Sequence, residues 1–239
     1  MTSTHALRDA EDASVAREVS HALLSTNCIE VQVDGPFHLP SGWASPVYIE
    51  CRRLISYPEI RRSLVRYALN MLRKRHCLDH ISAVAGAEVS GIALAAWIAE
   101  ELDLPMQYVR KQRNGFGPGR QVVGVVRPGE SVLLVDDLMS GGHSIANCCL
   151  AIAEAELLVK DAFVIFDYNT FPTRHMLDAM GVTVHALATW QDILLAARES
   201  AKFQTPALTE LENFLADPMA WSHAHGGKSS SKTETKGLL

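Results

Sequence analysis

The chain has 239 residues, 48% of them hydrophobic and 21% charged, with a formal net charge of −5. That length and apolar share suit one domain with small appendages, and the acidic balance argues against non-specific nucleic-acid binding as the main role. Cysteines at 28, 51, 77, 148 and 149 show no Cys-x-x-Cys spacing, which points away from a structural zinc and toward a reducing compartment. No segment approaches the roughly 18 continuous apolar residues of a membrane span, and residues 1–13 carry no apolar signal-peptide core, so a cytoplasmic protein is expected.

In chain order, residues 1–13 read as a flexible N-terminus and Ser14 as the N-cap of a helix with Val15, Val19, Ala22 and Leu23 on one face. Short strands are predicted over 29–33 and 37–39, about an Asp34-Gly35-Pro36 turn, and over 47–51; together they make a small N-terminal hood. Pro58 opens a helix with Ile60, Leu64, Ala68, Met71 and Leu72 on one side. Its other side, with Arg61, Arg62, Arg66, Arg73, Lys74 and Arg75, reads as a solvated face.

From residue 81, predicted strands at 81–85, 106–110, 131–135, 162–167 and 182–187 alternate with helices at 91–102, 144–157, 176–180 and 191–197. Such alternation predicts an α/β fold, a parallel sheet flanked by helices, with ligands beyond the carboxyl ends of the strands. The main domain is expected over 14–200, followed by a helical extension over 201–221 and a disordered polar tail over 222–239. Cys148 and Cys149 lie side by side in a helix and read as inert packing.

The most informative stretch is 132–144, where Val-Leu-Leu-Val is followed by Asp136, Asp137, Leu138, Met139, Ser140, Gly141, Gly142, His143 and Ser144. A buried strand ends in two acids, and a small-residue turn then opens a helix. Unpaired N–H groups at a helix N-terminus, approachable because of the glycines, form a nest for a phosphate monoester. The acids suit vicinal hydroxyls or a hydrated divalent ion, so the pair of features describes a phosphoribosyl group. Asp-Asp alone would equally serve as a helix cap.

Gly86-Ala87-Glu88-Val89-Ser90-Gly91 also joins a strand to a helix and is a candidate second anion loop, although tight strand-to-helix turns need glycine for steric reasons alone. Between 110 and 127 lie Arg110, Lys111, Arg113, Arg120 and Arg127, no acid, and Gly115, Gly117, Pro118 and Gly119. That segment reads as a flexible basic lid able to neutralise a leaving pyrophosphate.

The 132–144 string resembles the diphosphoribose-binding signature of type I phosphoribosyltransferases. Phe37-His38-Leu39-Pro40-Ser41-Gly42-Trp43-Ala44-Ser45-Pro46-Val47-Tyr48 in turn resembles the Phe-x-Leu-x-Ser-Gly-x-x-Ser-Pro-x-Tyr stretch of the orotate phosphoribosyltransferase family. The Gly115-Phe116-Gly117 lid is similar to that of some bacterial members, with Asn114 where the best-known members have Lys and Phe116 where they have His.

The resemblance implies a type I phosphoribosyltransferase-like sheet with a hood, and transfer from 5-phosphoribosyl 1-diphosphate to orotate. It assigns Asp137, Lys111 and Arg113 to catalysis. Diphosphate binding falls to Arg110, Lys111, Asp136, Asp137, Leu138, Met139, Ser140, Gly141, Gly142, His143, Ser144, Ala87 and Glu88, and orotate binding to Ser140, Tyr48 and Ile49. It further implies Mg²⁺ carried by the diphosphate with no direct protein ligand, and a homodimer whose lid crosses to the other subunit. Neither nucleic acid nor membrane is an expected partner. Two other readings stay open: a phosphoribosyltransferase for another base, and a regulator that senses the diphosphate on the same fold.

Overall fold

A computed structural model describes residues 9–39, 41–113, 120–171, 174–200 and 202–228. The first helix, α1 (Ala10–Ser25), begins before Ser14: Asp9 is its N-cap and accepts from the Asp12 N–H. Its acidic first turn meets the basic last turn of α2 (Pro58–Lys74), where Lys74 pairs with Asp9 and Arg75 with Asp12 at 2.8 Å. Two helix ends of opposite charge hold each other, which extends α1 into residues expected to fray.

Between these helices lie β1 (Ile29–Val31), β2 (Phe37–His38), β3 (Ala44–Ser45), β4 (Val47–Ile49) and a 3₁₀ turn at Cys51–Ser56. The Asp34-Gly35-Pro36 turn does not close a hairpin: β1 pairs antiparallel with β4, and β2 with β3. That register sets Ile29 opposite Ile49 and Val31 opposite Val47, so apolar side chains share one face.

The remaining elements are β5 (Ala83–Ala87), α3 (Ser90–Leu102), β6 (Met106–Val109), β7 (Val122–Val123), β8 (Ser131–Met139), α4 (His143–Glu154), β9 (Leu158–Asp167), α5 (His175–Ala179), β10 (Thr183–Thr189), α6 (Trp190–Ser200), α7 (Thr205–Ala216) and α8 (Pro218–Ala224). The central sheet runs β10-β9-β8-β5-β6-β7, parallel except for the edge strand β7, which pairs antiparallel with β6. β7 comes from the glycine-rich basic segment and was not expected from its composition. β8 runs four residues beyond the expected end, because Asp136, Leu138 and Met139 continue the ladder against Val164, Phe166 and Asp167 of β9. The acids are therefore part of the strand.

Side chains alternate across this sheet with period two. Leu133 and Val135 of β8, Val84 of β5 and Phe163 of β9 pack into one core with α1, α2, α3 and α6. Val132, Leu134, Ala83, Ala85, Ala162 and Val164 pack into a second core under α4 and α5. Both faces are covered, as a parallel sheet requires.

Gly91 controls how closely α3 can lie on β8. A methyl group there would run into the Val135 carbonyl oxygen and sit 2.9 Å from Asp136 Cα, and one on Gly86 would meet Gly91 O at 2.8 Å. The steric reading of the Gly86-to-Gly91 loop is thus sufficient for both glycines. Gly91→Ala should cost about 3 kcal/mol of stability through overpacking against backbone; chemical denaturation of parent and variant checks this, and equal midpoints would refute the close approach.

The C-terminal segment is built in, contrary to a tail that is disordered from Ser222. Trp43 stacks on Phe171 at 4.3 Å, Phe171 meets Phe214, Phe214 meets Trp221 and Trp221 stacks on His225 at 3.7 Å. Each such contact contributes about 1 kcal/mol beyond area burial, enough together to hold α7 and α8 against the hood. Ser222 is fully buried, accepts from Ala44 N–H and donates to Lys228 O.

Candidate active site

The chain passes β5, then β6 on one side, then returns to β8 on the other, so β5 and β8 are neighbours whose following loops diverge. That reversal opens a crevice at the carboxyl ends of the strands. A cleft of about 680 Å³ lies there. Its lining includes Asp136, Asp137, Leu138, Met139, Ser140, Gly141, Gly142, His143 and Ser144 from β8 and the start of α4. Glu88, Arg110 and Lys111 enter from the neighbouring loops, and Tyr48 and Ile49 from the hood.

Asp136 and Asp137 are only 8% and 9% exposed. Adjacent strand residues point to opposite faces, and each carboxylate turns back onto the backbone, Asp136 Oδ1 accepting from Asp137 N–H and Asp137 Oδ1 from Leu138 N–H, both at 2.9 Å. Burial pushes the Asp136 carboxyl well above the usual carboxylate range, and the charge of Asp137 raises it further. Asp137 is also raised by burial, opposed by hydrogen bonds from Asp136 and Leu138 and by the charge of Arg52. The pair is costly to ionise without hydroxyl donors or a cation in front of it.

The turn after β8 has Gly142 at φ +71 as the N-cap of α4, a backbone position open to glycine. Among the described residues no side chain caps that helix, so its first N–H groups are left open at the cleft. On the opposite wall Lys111 N–H donates to Glu88 Oε2 at 2.8 Å, which ties the basic segment to the β5 loop. Arg110 N–H donates to Gln121 O, and its guanidinium lies 5.9 Å over the Tyr108 ring.

Two expected residues stand apart. Ala87 is buried within β5 and its side chain does not line the cleft, and Arg113 lies outside it, ion-paired with Glu154 of α4. Pro40, Asn114, Gly115, Phe116, Gly117, Pro118 and Gly119 lie outside the described residues. The cleft also takes in Leu39, Ser41, Ser90, Gln121, Cys148, Tyr168 and Lys228, which had not been assigned to the site. Arg174 is held by the fully buried Asp167.

All five cysteines are free and buried, and burial pushes the Cys77, Cys148 and Cys149 thiols up to about 12, consistent with inert packing. Cys77, Asp161 and His185 converge within 4.8 Å, away from the cleft. Arg75 lies 3.2 Å from His185 Nδ1 and can only donate, which leaves the ring proton on Nε2, directed at Asp161 2.7 Å away. With Cys77 Sγ 3.3 Å from the same nitrogen, the three side chains form an internal hydrogen-bond network.

With this geometry in view, the relatives are decisive. The phosphoribosyl transferase domain model matches residues 59–170. The orotate phosphoribosyltransferase of Sinorhizobium medicae is 40% identical over 218 residues, covering 91% of this chain and 94% of that protein. The chain belongs to the orotate phosphoribosyltransferase family.

The enzyme of the same name from Dinoroseobacter shibae is 40% identical over 90% of this chain and 96% of its own. Among solved structures, the orotate phosphoribosyltransferase of Aeropyrum pernix superposes with a TM-score of 0.66 at 28% identity, covering 78% of this chain and 99% of that one. Leishmania donovani UMP synthase superposes with a TM-score of 0.72 at 26% identity, over 84% of this chain and 42% of that one. The family is one of transferases named for pyrimidine chemistry, and its type I phosphoribosyltransferase-like sheet is the one described above. Among the described residues no helix is long and apolar enough to cross a membrane.

The raised carboxyls set a pH signature. A carboxyl whose pKa is raised by folding favours the fold while protonated, and that contribution is lost as pH rises through the folded value. Asp136→Asn should therefore raise the thermal midpoint at pH 8 and gain little at pH 4. Differential scanning calorimetry at the two pH values tests it; equal midpoints at pH 8 would contradict the cost of the buried charge.

Proposed function

We propose that the protein transfers the phosphoribosyl group of 5-phosphoribosyl 1-diphosphate to orotate, giving orotidine 5′-phosphate and pyrophosphate in pyrimidine nucleotide synthesis. The observation that carries this reading is the single cleft that joins the buried acids of β8 to the open start of α4 beneath Tyr48 and Ile49 of the hood.

In this reading the ribose hydroxyls donate to Asp136 and Asp137, which satisfies the carboxylates that burial leaves costly. The 5′-phosphate sits on N–H groups of the Ser140, Gly141, Gly142, His143 and Ser144 turn. The Asp136 and Asp137 carboxylates offer the oxygen donors that Mg²⁺ prefers, and the ion, brought by the diphosphate, would offset the charge of the leaving group. Loss of pyrophosphate breaks the anomeric C–O bond, the electron pair leaving with the oxygen, and a ring nitrogen of orotate forms the new bond at that carbon while its N–H proton passes to the departing pyrophosphate or to water. Orientation of the two substrates in the cleft and positive charge around the leaving group supply the rate enhancement.

Arg110 and Lys111 face the diphosphate from the end of β6, while Leu138, Met139, Ala87 and Glu88 shape the backbone around it. Ser140, Tyr48 and Ile49 border the base. Arg113 reaches a diphosphate once it leaves Glu154, in its own subunit or, in a homodimer with crossing lids, in its neighbour. A cytoplasmic enzyme accords with its small polar substrates.

Loss of orotate ultraviolet absorbance on mixing protein, Mg²⁺ and the diphosphate is the direct test. Catalytic loss is expected; binding of the diphosphate with no loss of orotate would put another base or a sensing role in its place. Arg113→Ala should lower turnover at least tenfold while shifting the unfolding free energy by less than about 1 kcal/mol, since an exposed ion pair contributes no more than that. An unchanged rate would remove Arg113 from the catalytic set.

A further inference from the structure

Lys228 brings a cation into the cleft from an unexpected direction. Its N–H donates to Gly42 O at 3.0 Å, and its carbonyl accepts from Ser222 Oγ at 3.0 Å, so its backbone is held at both ends. The preceding Gly227 allows the segment to lie against the hood, since a methyl group there would collide with Ser222 Oγ and sit 2.8 Å from Ala44 Cβ. Gly42, at φ +86, provides the matching clearance: a methyl there would lie 2.6 Å from Lys228 Cε and 3.2 Å from its Nζ. The lysine side chain thus crosses the face of Gly42 and lines the same cleft as Asp136, Asp137 and Ser140.

The lysine and arginine side chains lining the cleft, among the described residues, are Arg110, Lys111 and Lys228, and Lys228 alone comes from the hood side. Among those residues no carboxylate pairs with its ammonium, although Lys74, Arg75, Arg113 and Arg198 all have acidic partners. Ser41, the residue before Gly42, lies against Gly141 of the turn after β8, its Oγ buried and without a hydrogen-bond partner among the described residues. An ammonium with no carboxylate partner at the wall of the cleft is a place for an anion.

We propose that Lys228 is a substrate-binding residue whose ammonium recognises the carboxylate of the incoming pyrimidine. This rests on the orotate reading above and deepens it. In that reading the phosphate has the α4 N–H groups and the diphosphate has Arg110 and Lys111, whereas Lys228 reaches the cleft across Gly42 of the hood. The carboxylate is the remaining anionic group of the two substrates.

Steady-state kinetics of the full chain, with orotate and the diphosphate varied separately, test the assignment on Lys228→Met and Lys228→Arg. Both replacements keep the backbone hydrogen bonds to Gly42 and Ser222, and thermal midpoints check that the fold is retained. Lys228→Met should raise KM for orotate roughly tenfold or more, the scale of a lost charge-assisted hydrogen bond, with a smaller effect on kcat and on KM for the diphosphate. Lys228→Arg should recover most of the loss. An unchanged KM for orotate, or a rise confined to the diphosphate, overturns the assignment. A parent protein that consumes orotate while Lys228→Met matches it defeats this inference alone; a parent that neither binds nor consumes orotate defeats the proposed function, and this inference with it.

Discussion

Two neighbouring carboxylates held inside a strand, each less than a tenth exposed, are the constraint around which this protein is arranged. An ionised carboxylate out of water is unfavourable unless donors or cations surround it. Here the protein supplies backbone N–H groups from Asp137 and Leu138 and more distant positive charge from Lys111 and Arg52. That compensation is incomplete, and under the proposed function ribose hydroxyls would add to it.

The surroundings of the pair follow from it. α3 must close over β8 for the acids to be buried at all, and only a residue without a side chain at position 91 permits that approach. Beyond the acids the chain must turn sharply into α4, and Gly142 in the left-handed region makes the turn while leaving the helix start uncapped. Close packing thus requires glycine at 91, and the left-handed turn favours it at 142.

The walls of the cleft differ in how firmly they are held. Its floor is sheet, with both faces buried under helices. The hood is a pair of two-stranded ladders too small to be stable by themselves, and it is held by the aromatic contacts that run from Trp43 through Phe171 and Phe214 to Trp221. The basic wall after β6 is tied by Lys111 N–H to Glu88 and by hydrogen bonds in both directions between Arg110 and Gln121, with Arg113 turned outward to Glu154.

The sequence by itself determined the sheet and the heart of the site, because both depend on short-range patterns. Continuous apolar runs in β5, β8 and β9 report strands buried on two faces, and the acids with their Ser-Gly-Gly turn are contiguous in the chain, so their chemistry can be read without knowing any long-range contact. Helix and strand ends were less legible: β8 extends through its acids only because β9 lies beside it to pair with them, and α1 begins at Ala10 only because the end of α2 offers Lys74 and Arg75. Pairing of β1 with β4, in place of a hairpin across residues 34–36, was likewise decided by which apolar faces meet in the core. The placement of Lys228 was decided by tertiary structure alone. Its neighbours in the chain are small and polar and carry no periodicity, and they are ordered by Ala44 and Gly42, more than 170 residues away in sequence.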